Sequence, residues 1–121
     1  MRTEAQEQEA VMRWAEMSTG RYPELALLFH IPNGGSRKDA REGAHFKKLG
    51  VKAGVPDLFL PVARGAYHGL FIEMKREKGG RVSDDQEAWL LALSSQGYAT
   101  FVANGYEEAR QMLEVYLDAI D

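Results

Sequence analysis

Pro56-Asp57-Leu58-Phe59-Leu60 and, further along, Leu70-Phe71-Ile72-Glu73-Met74-Lys75 are the two stretches whose reading decides the fold. Asp57 opens a short apolar run that Pro61 breaks. A turn region follows from Ala63 to Gly69, and the second apolar run ends before the Gly79-Gly80 pair. Two such runs joined by a turn predict a β-hairpin. In a strand, alternate side chains share a face about 6.6 Å apart, so Phe71, Glu73 and Lys75 are expected on one side and Leu70, Ile72 and Met74 on the other. An acid and an ammonium at the end of an apolar strand cost free energy if both are buried. Either they sit at a solvated rim or something pairs them, and a divalent cation is one such partner. The hairpin lets the Asp57 carboxylate approach Glu73 across the strand pair. Two adjacent carboxylates repel unless a cation lies between them, a setting that suits Mg2+ or Mn2+.

Glu-x-Lys alone is a weak signal: with 12 Glu and 6 Lys in 121 residues, about 0.6 such pairs arise by chance. The Pro56-Asp57 dipeptide at a strand start, sixteen residues before Glu73 with only a turn between, strengthens it. Read on their own, the same residues also fit a structural Asp at a turn and a strand-end ion pair.

Outward from the hairpin, Thr3 with Gln6 makes a capping box for a helix over 4–17, where Val11, Trp14 and Ala15 recur at helical spacing; Gly20 and Pro23 end it. Leu25 to Ile31 reads as a buried strand closed by Pro32-Asn33-Gly34-Gly35, and residues 37–49 as an irregular helix. Ser83 with Gln86 is a second capping box, opening a helix with Trp89, Leu90 and Leu93 on its apolar face and ending at Gly97. Tyr98 to Ala103 is a strand. Asn104 is the expected cap of a last helix carrying Tyr106, Ala109, Leu113, Tyr116, Leu117 and Ile120 on one face. The predicted order, α-β-(α)-β-β-α-β-α, is an α/β fold with a mixed sheet flanked by helices.

A chain of 121 residues fits a single domain over 1–121, and no repeat, low-complexity tract or linker divides it. No apolar run approaches the ~20 residues of a membrane span, and the polar N-terminus has no secretory pattern. Zero cysteines exclude a disulfide framework, a zinc ribbon and a cysteine nucleophile, and fit a reducing cytoplasm. The net charge of −3 conceals an uneven distribution. Between Ser36 and Val82 eleven basic residues face five acidic ones, a surplus of +6, so the flanks carry −9. Arg37, Lys38, Arg41, Lys47, Lys48 and Lys52 are candidate DNA contacts; a solvated helix face is the equal alternative.

Taken together, Gly50-Val-Lys-Ala-Gly-Val-Pro-Asp57-Leu-Phe-Leu, Phe71-Ile-Glu73-Met-Lys75-Arg and Ser83-Asp-Asp-Gln86-Glu-Ala-Trp resemble the VRR-NUC nucleases of the PD-(D/E)xK superfamily. Ile31-Pro-Asn33-Gly-Gly and Glu4-x-x-x-Gln8-x-Ala-Val-x-x-Trp14 extend the resemblance nearly end to end. It implies a restriction-endonuclease-like fold and Mg2+- or Mn2+-dependent phosphodiester hydrolysis on DNA. Stand-alone members of this length look like phage or prophage proteins, working as homodimers on branched DNA such as Holliday junctions in a bacterial or infected-host cytoplasm. Larger eukaryotic relatives cut flaps. By motif position, the resemblance makes Asp57 and Glu73 metal ligands with the Met74 carbonyl, and has Lys75 orient or activate the attacking water and balance developing charge. Glu4 becomes the helical acid at the metal; its face, shared with Gln8, Val11 and Ala15, favours it over Glu7 and Glu9. Gln86 matches the family glutamine while also completing the Ser83 capping box.

Asn33, before two glycines, is a candidate substrate-facing residue, with a plain turn equally compatible. His30, His45 and His68 lack metal-ligand spacing; His45 is a candidate phosphate contact, and the other two receive no role. Trp14 and Trp89 read as core. The last helix reads as core by default, with its apolar stripe a candidate dimer surface. A DNA-binding module that keeps the fold without cutting is the competing reading, disfavoured because a binder does not need Asp57, Glu73 and Lys75 together.

Overall fold

The computed structural model describes residues 1–32 and 40–119, with the side chains of Ala40 and Arg41 also outside the description. Helix α1 (Glu4–Met17) starts where the Thr3 side chain accepts the Gln6 N–H and Gln6 Oε1 accepts the Thr3 N–H, the capping box expected from sequence. The buried strand expected over 25–31 is not found. Pro23, with φ preset near helical values, starts a 3-10 helix (Pro23–Leu27), and only the two residues of β1 (Phe29–His30) pair with the sheet. Leu25 and Leu28 are buried, while both β1 residues are exposed at the sheet edge.

Helix α2 (Ala40–Lys48) lies within the segment read as an irregular helix. Strands β2 (Leu58–Leu60) and β3 (Leu70–Lys75) form the expected hairpin, with Leu58 opposite Ile72 and Phe59 opposite Phe71. Helix α3 (Asp84–Ser95) opens on the Ser83–Gln86 capping box and leads to β4 (Ala99–Asn104), which lies parallel to β3. The four-stranded sheet therefore runs β1-β2-β3-β4, antiparallel in its first two pairings and parallel in the last. A parallel pair needs a crossover, and α3 is that crossover.

Helix α4 (Tyr106–Asp118) closes the described chain, and its N-cap is Gly105 rather than Asn104. Asn104 is still in the β4 ladder, opposite Lys75, so the sharp exit falls to Gly105 at φ 96, a conformation glycine adopts without a Cβ penalty. A glycine supplies no side-chain cap. The Glu7 carboxylate of α1 accepts the Tyr106 N–H at 2.9 Å instead, and Arg2 lies 3.3 Å from the same oxygen. That explains a buried glutamate: it meets the free amides and positive end of a neighbouring helix.

One face of the sheet, carrying Leu58, Leu60, Leu70, Ile72 and Met74, joins Val11 and Ala15 of α1 and Ala109, Leu113, Tyr116 and Leu117 of α4 in one buried cluster. Thus the α4 stripe packs inward, in keeping with its default reading as core and against its candidacy as a dimer surface; Ile120 lies outside the described residues. Trp14 packs against this cluster, whereas Trp89 is half-buried on α3. The other face carries stacked Phe59 and Phe71, ring centres 4.1 Å apart, with Phe29 and Tyr98 edge-on beside them. Glu73 and Lys75 continue that face. Among the described residues, no helix is long and apolar enough to cross a membrane.

Candidate active site

Strand β3 is buried along its whole length, so Glu73 and Lys75 do not reach a solvated rim. Their side chains are 2% and 5% exposed, and Lys75 Nζ stands 3.3 Å from Glu73 Oε2. Three residues into α3, Gln86 turns its amide toward both. Its Nε2 donates to Glu73 Oε2 at 2.9 Å, while its Oε1 accepts from Lys75 Nζ at 2.9 Å and from the Ser83 N–H at 2.9 Å. The capping glutamine thus links the start of α3 to both ionisable groups of β3.

Asp57 immediately precedes β2 and is half-buried. Its Oδ2 accepts the Met74 N–H at 2.8 Å, which fastens the carboxylate to the backbone between Glu73 and Lys75. Its carbonyl accepts from the Ile31 N–H at 2.7 Å and lies 2.8 Å from His30 Nδ1. The preceding loop is held close to α3 at Gly54 (φ +92), where a Cβ would come within 2.8 Å of the Asp85 backbone. Only glycine satisfies both demands.

The electrostatics of this cluster are strained. Burial, then the Asp57 charge, push the Glu73 carboxyl up to about 8, with Lys75 opposing. Burial also raises Asp57, against the Met74 N–H and His30; Glu4 contributes upward at both acids. Glu73 Oε1 is the one fully buried side-chain oxygen or nitrogen among the described residues without a hydrogen-bond partner. Leaving such an acceptor unmatched costs about 1–3 kcal/mol, more when charged. An unpartnered oxygen, two adjacent acids and a third acidic charge are what a hard divalent cation would relieve, so the donor set fits Mg2+ or Mn2+. Among the described residues no three acidic or histidine side chains converge into a cage.

Of the three N-terminal glutamates, Glu7 is committed to α4, while Glu4 and Glu9 are both exposed; Glu4 is the one whose charge acts on Asp57 and Glu73. Glu4 also lines a hollow of about 460 Å3 with Arg2 and Arg76. The Met74 side chain belongs to the core, so only its backbone faces the site. Lys47 and Lys48 are exposed on the last turn of α2, and Lys47 shares a hollow of about 450 Å3 with Lys52. His45 is exposed on α2 and His68 beside Tyr98. Asn33, Arg37 and Lys38 lie outside the described residues, and of Arg41 only the backbone is described. Sequence reasoning missed His30, because its proximity to Asp57 arises only from the β1–β2 pairing.

A mixed sheet with helices on both faces, presenting Asp57, Glu73 and Lys75 at one end of its central hairpin, is a restriction-endonuclease-like α/β domain. The VRR-NUC domain profile matches residues 2–107. A solved structure described as a VRR_NUC domain protein is 34% identical, superposes with a TM-score of 0.83, and is matched over 100% of this chain and 93% of that one. A comparison with curated proteins gives no match. The chain belongs to the VRR-NUC domain family, a nuclease-type family.

Proposed function

We propose that the protein is a divalent-metal-dependent endodeoxyribonuclease that hydrolyses phosphodiester bonds in branched DNA of the four-way-junction kind. The observation that carries this reading is the buried Glu73 carboxylate, one oxygen held by Gln86 and Lys75 and the other without a partner, beside Asp57. Asp57, Glu73 and the Met74 carbonyl would hold Mg2+ or Mn2+, with Glu4 adding charge directly or through water. Bound there, the ion supplies charge neutralisation and Lewis-acid polarisation of a phosphoryl oxygen.

The remaining work falls to the chain itself. Gln86 and Glu73 occupy two directions around the Lys75 ammonium, which has three N–H donors, so one stays free for the attacking water or a phosphate oxygen. Held this way, Lys75 needs little reorganisation as negative charge builds on the phosphate. Exposed Lys47, Lys48 and Lys52 would track the DNA backbone, joined by Arg37, Lys38, Arg41 and Asn33.

The working unit in this reading is a homodimer of one nuclease domain per chain, acting in the cytoplasm of a bacterial or phage-infected cell. A four-way junction needs two symmetric cuts, and one chain carries one Asp57-Glu73-Lys75 set. The deciding experiment incubates purified protein with duplex, flap, fork and four-way-junction DNA in Mg2+, Mn2+ or EDTA, with light scattering for the oligomer. Metal-dependent paired nicks across junctions are expected. Binding without cutting in either metal would leave a DNA-binding module, and flap cleavage by a monomer would overturn the junction and dimer assignments.

A further inference from the structure

His30 is the last residue of a two-residue edge strand, opposite Leu58 in register, and its imidazole turns back toward the residue before β2. There Nδ1 lies 2.8 Å from the Asp57 carbonyl oxygen. A carbonyl only accepts, so Nδ1 carries the proton and donates. The same carbonyl takes the Ile31 N–H at 2.7 Å, while Asp57 Oδ2 takes the Met74 N–H at 2.8 Å. Asp57 is therefore fixed at both ends: its peptide plane by β1 and its carboxylate by β3. Removing the imidazole leaves the Ile31 N–H as the one remaining donor to that carbonyl among the described residues, at the start of a strand only three residues long.

We propose that His30 is a positioning residue for Asp57, whose Nδ1–H bond to the Asp57 carbonyl sets where the carboxylate stands beside Glu73. The proposal rests on the reading of Asp57 as a metal ligand and deepens it. Groups that orient metal ligands change metal affinity by about 10–100-fold when lost, without touching the ion.

The test compares His30→Ala, His30→Asn and His30→Gln in the full chain, reading Mn2+ affinity by titration and amide hydrogen exchange residue by residue. Asparagine offers an N–H donor close to where imidazole Nδ1 stands; glutamine offers it farther out, near the position of Nε2. His30→Ala should weaken Mn2+ binding about 10–100-fold. It should also speed exchange of the Met74 amide about tenfold, as loss of a hydrogen-bond constraint implies, while Ile72 and Phe101 exchange as before. Asparagine should recover most of both effects and glutamine little. Wild-type Mn2+ affinity and Met74 exchange in His30→Ala would overturn the proposal, as would asparagine performing no better than alanine. So would faster exchange across the whole sheet, which marks a general fold contact. Should the unmodified protein bind no Mn2+, the metal reading fails, and the metal-independent Met74 exchange decides the role of His30.

Discussion

Gln86 Nε2 donates to Glu73 Oε2 at 2.9 Å, so one side chain both completes the cap of α3 and orients an acid of the site. The two roles separate by mutation. Gln86→Ala should lower cleavage by about 10–100-fold, because Glu73 and Lys75 lose their common anchor. Ser83→Ala removes only the hydroxyl that accepts the Gln86 N–H, at a cost near 1 kcal/mol in stability. Rates and melting midpoints measured on both variants should show activity falling in the first and only the midpoint falling in the second. Equal rate losses would mean the cap, not the Glu73 contact, matters.

Lys75→Ala should reduce cleavage by at least ~10²–10³-fold, since its ammonium is the only buried cation beside Glu73 among the described residues. DNA affinity should change little, because one lysine is one of many phosphate contacts. Single-turnover rates alongside titrations of labelled junction DNA check this, and near-wild-type cleavage would remove Lys75 from the chemistry.

The raised Glu73 carboxyl makes stability depend on pH with a definite sign. Between its ordinary value of 4.5 and the folded value of about 8, the folded state keeps a proton that the unfolded state has released. Stability without metal therefore falls as pH rises through that window, and the raised Asp57 acts in the same direction. Melts from pH 5 to 8.5 in EDTA should show a declining midpoint, flattened in Glu73→Gln. Added Mn2+ should raise the midpoint most at high pH, where its ligands are free of protons, and Asp57→Asn should blunt the rise. A midpoint that climbs with pH in EDTA would contradict the raised carboxyl.

Glu4 and Glu7 lie one turn apart on α1 and should fail in opposite ways. Glu7→Gln weakens the charged cap of α4 and should cost about 0.5–2 kcal/mol with the rate per folded molecule preserved. Glu4→Gln should leave the melt nearly unchanged while weakening Mn2+ binding and cleavage. Calorimetry and metal titration on the pair test the assignment; the reverse pattern would exchange the two roles.

Lys47→Glu with Lys48→Glu should weaken binding of every DNA tested and reduce the slope of log affinity against log salt by about 2. Fluorescence anisotropy across a salt series measures this, and an unchanged slope would place the DNA away from α2.

Much of this protein is local enough to read from the chain. The two capping boxes, the β2–β3 hairpin and the shared face of Glu73 and Lys75 depend on residues a few positions apart, so their chemistry is written in spacing. The 3-10 turn after Pro23 was concealed because an apolar run of that length fits a strand or a tight helical turn, and only packing chooses. Gly105 displaced Asn104 as a cap because the β4 ladder extends one residue further than local preference suggests. The α4 stripe reads as core by default, but the candidate interface is set aside only when α1 and the sheet are placed against it. Glu7 and His30 were illegible for the same reason: their partners, Tyr106 and Asp57, are 99 and 27 residues away. The sequence by itself determined that Asp57, Glu73 and Lys75 share one hairpin and that Glu73 and Lys75 share one face of it, since side-chain type and strand periodicity fix that much. Tertiary structure alone decided which groups hold them in place, because burial and long-range hydrogen bonds exist only once the sheet has brought distant segments together.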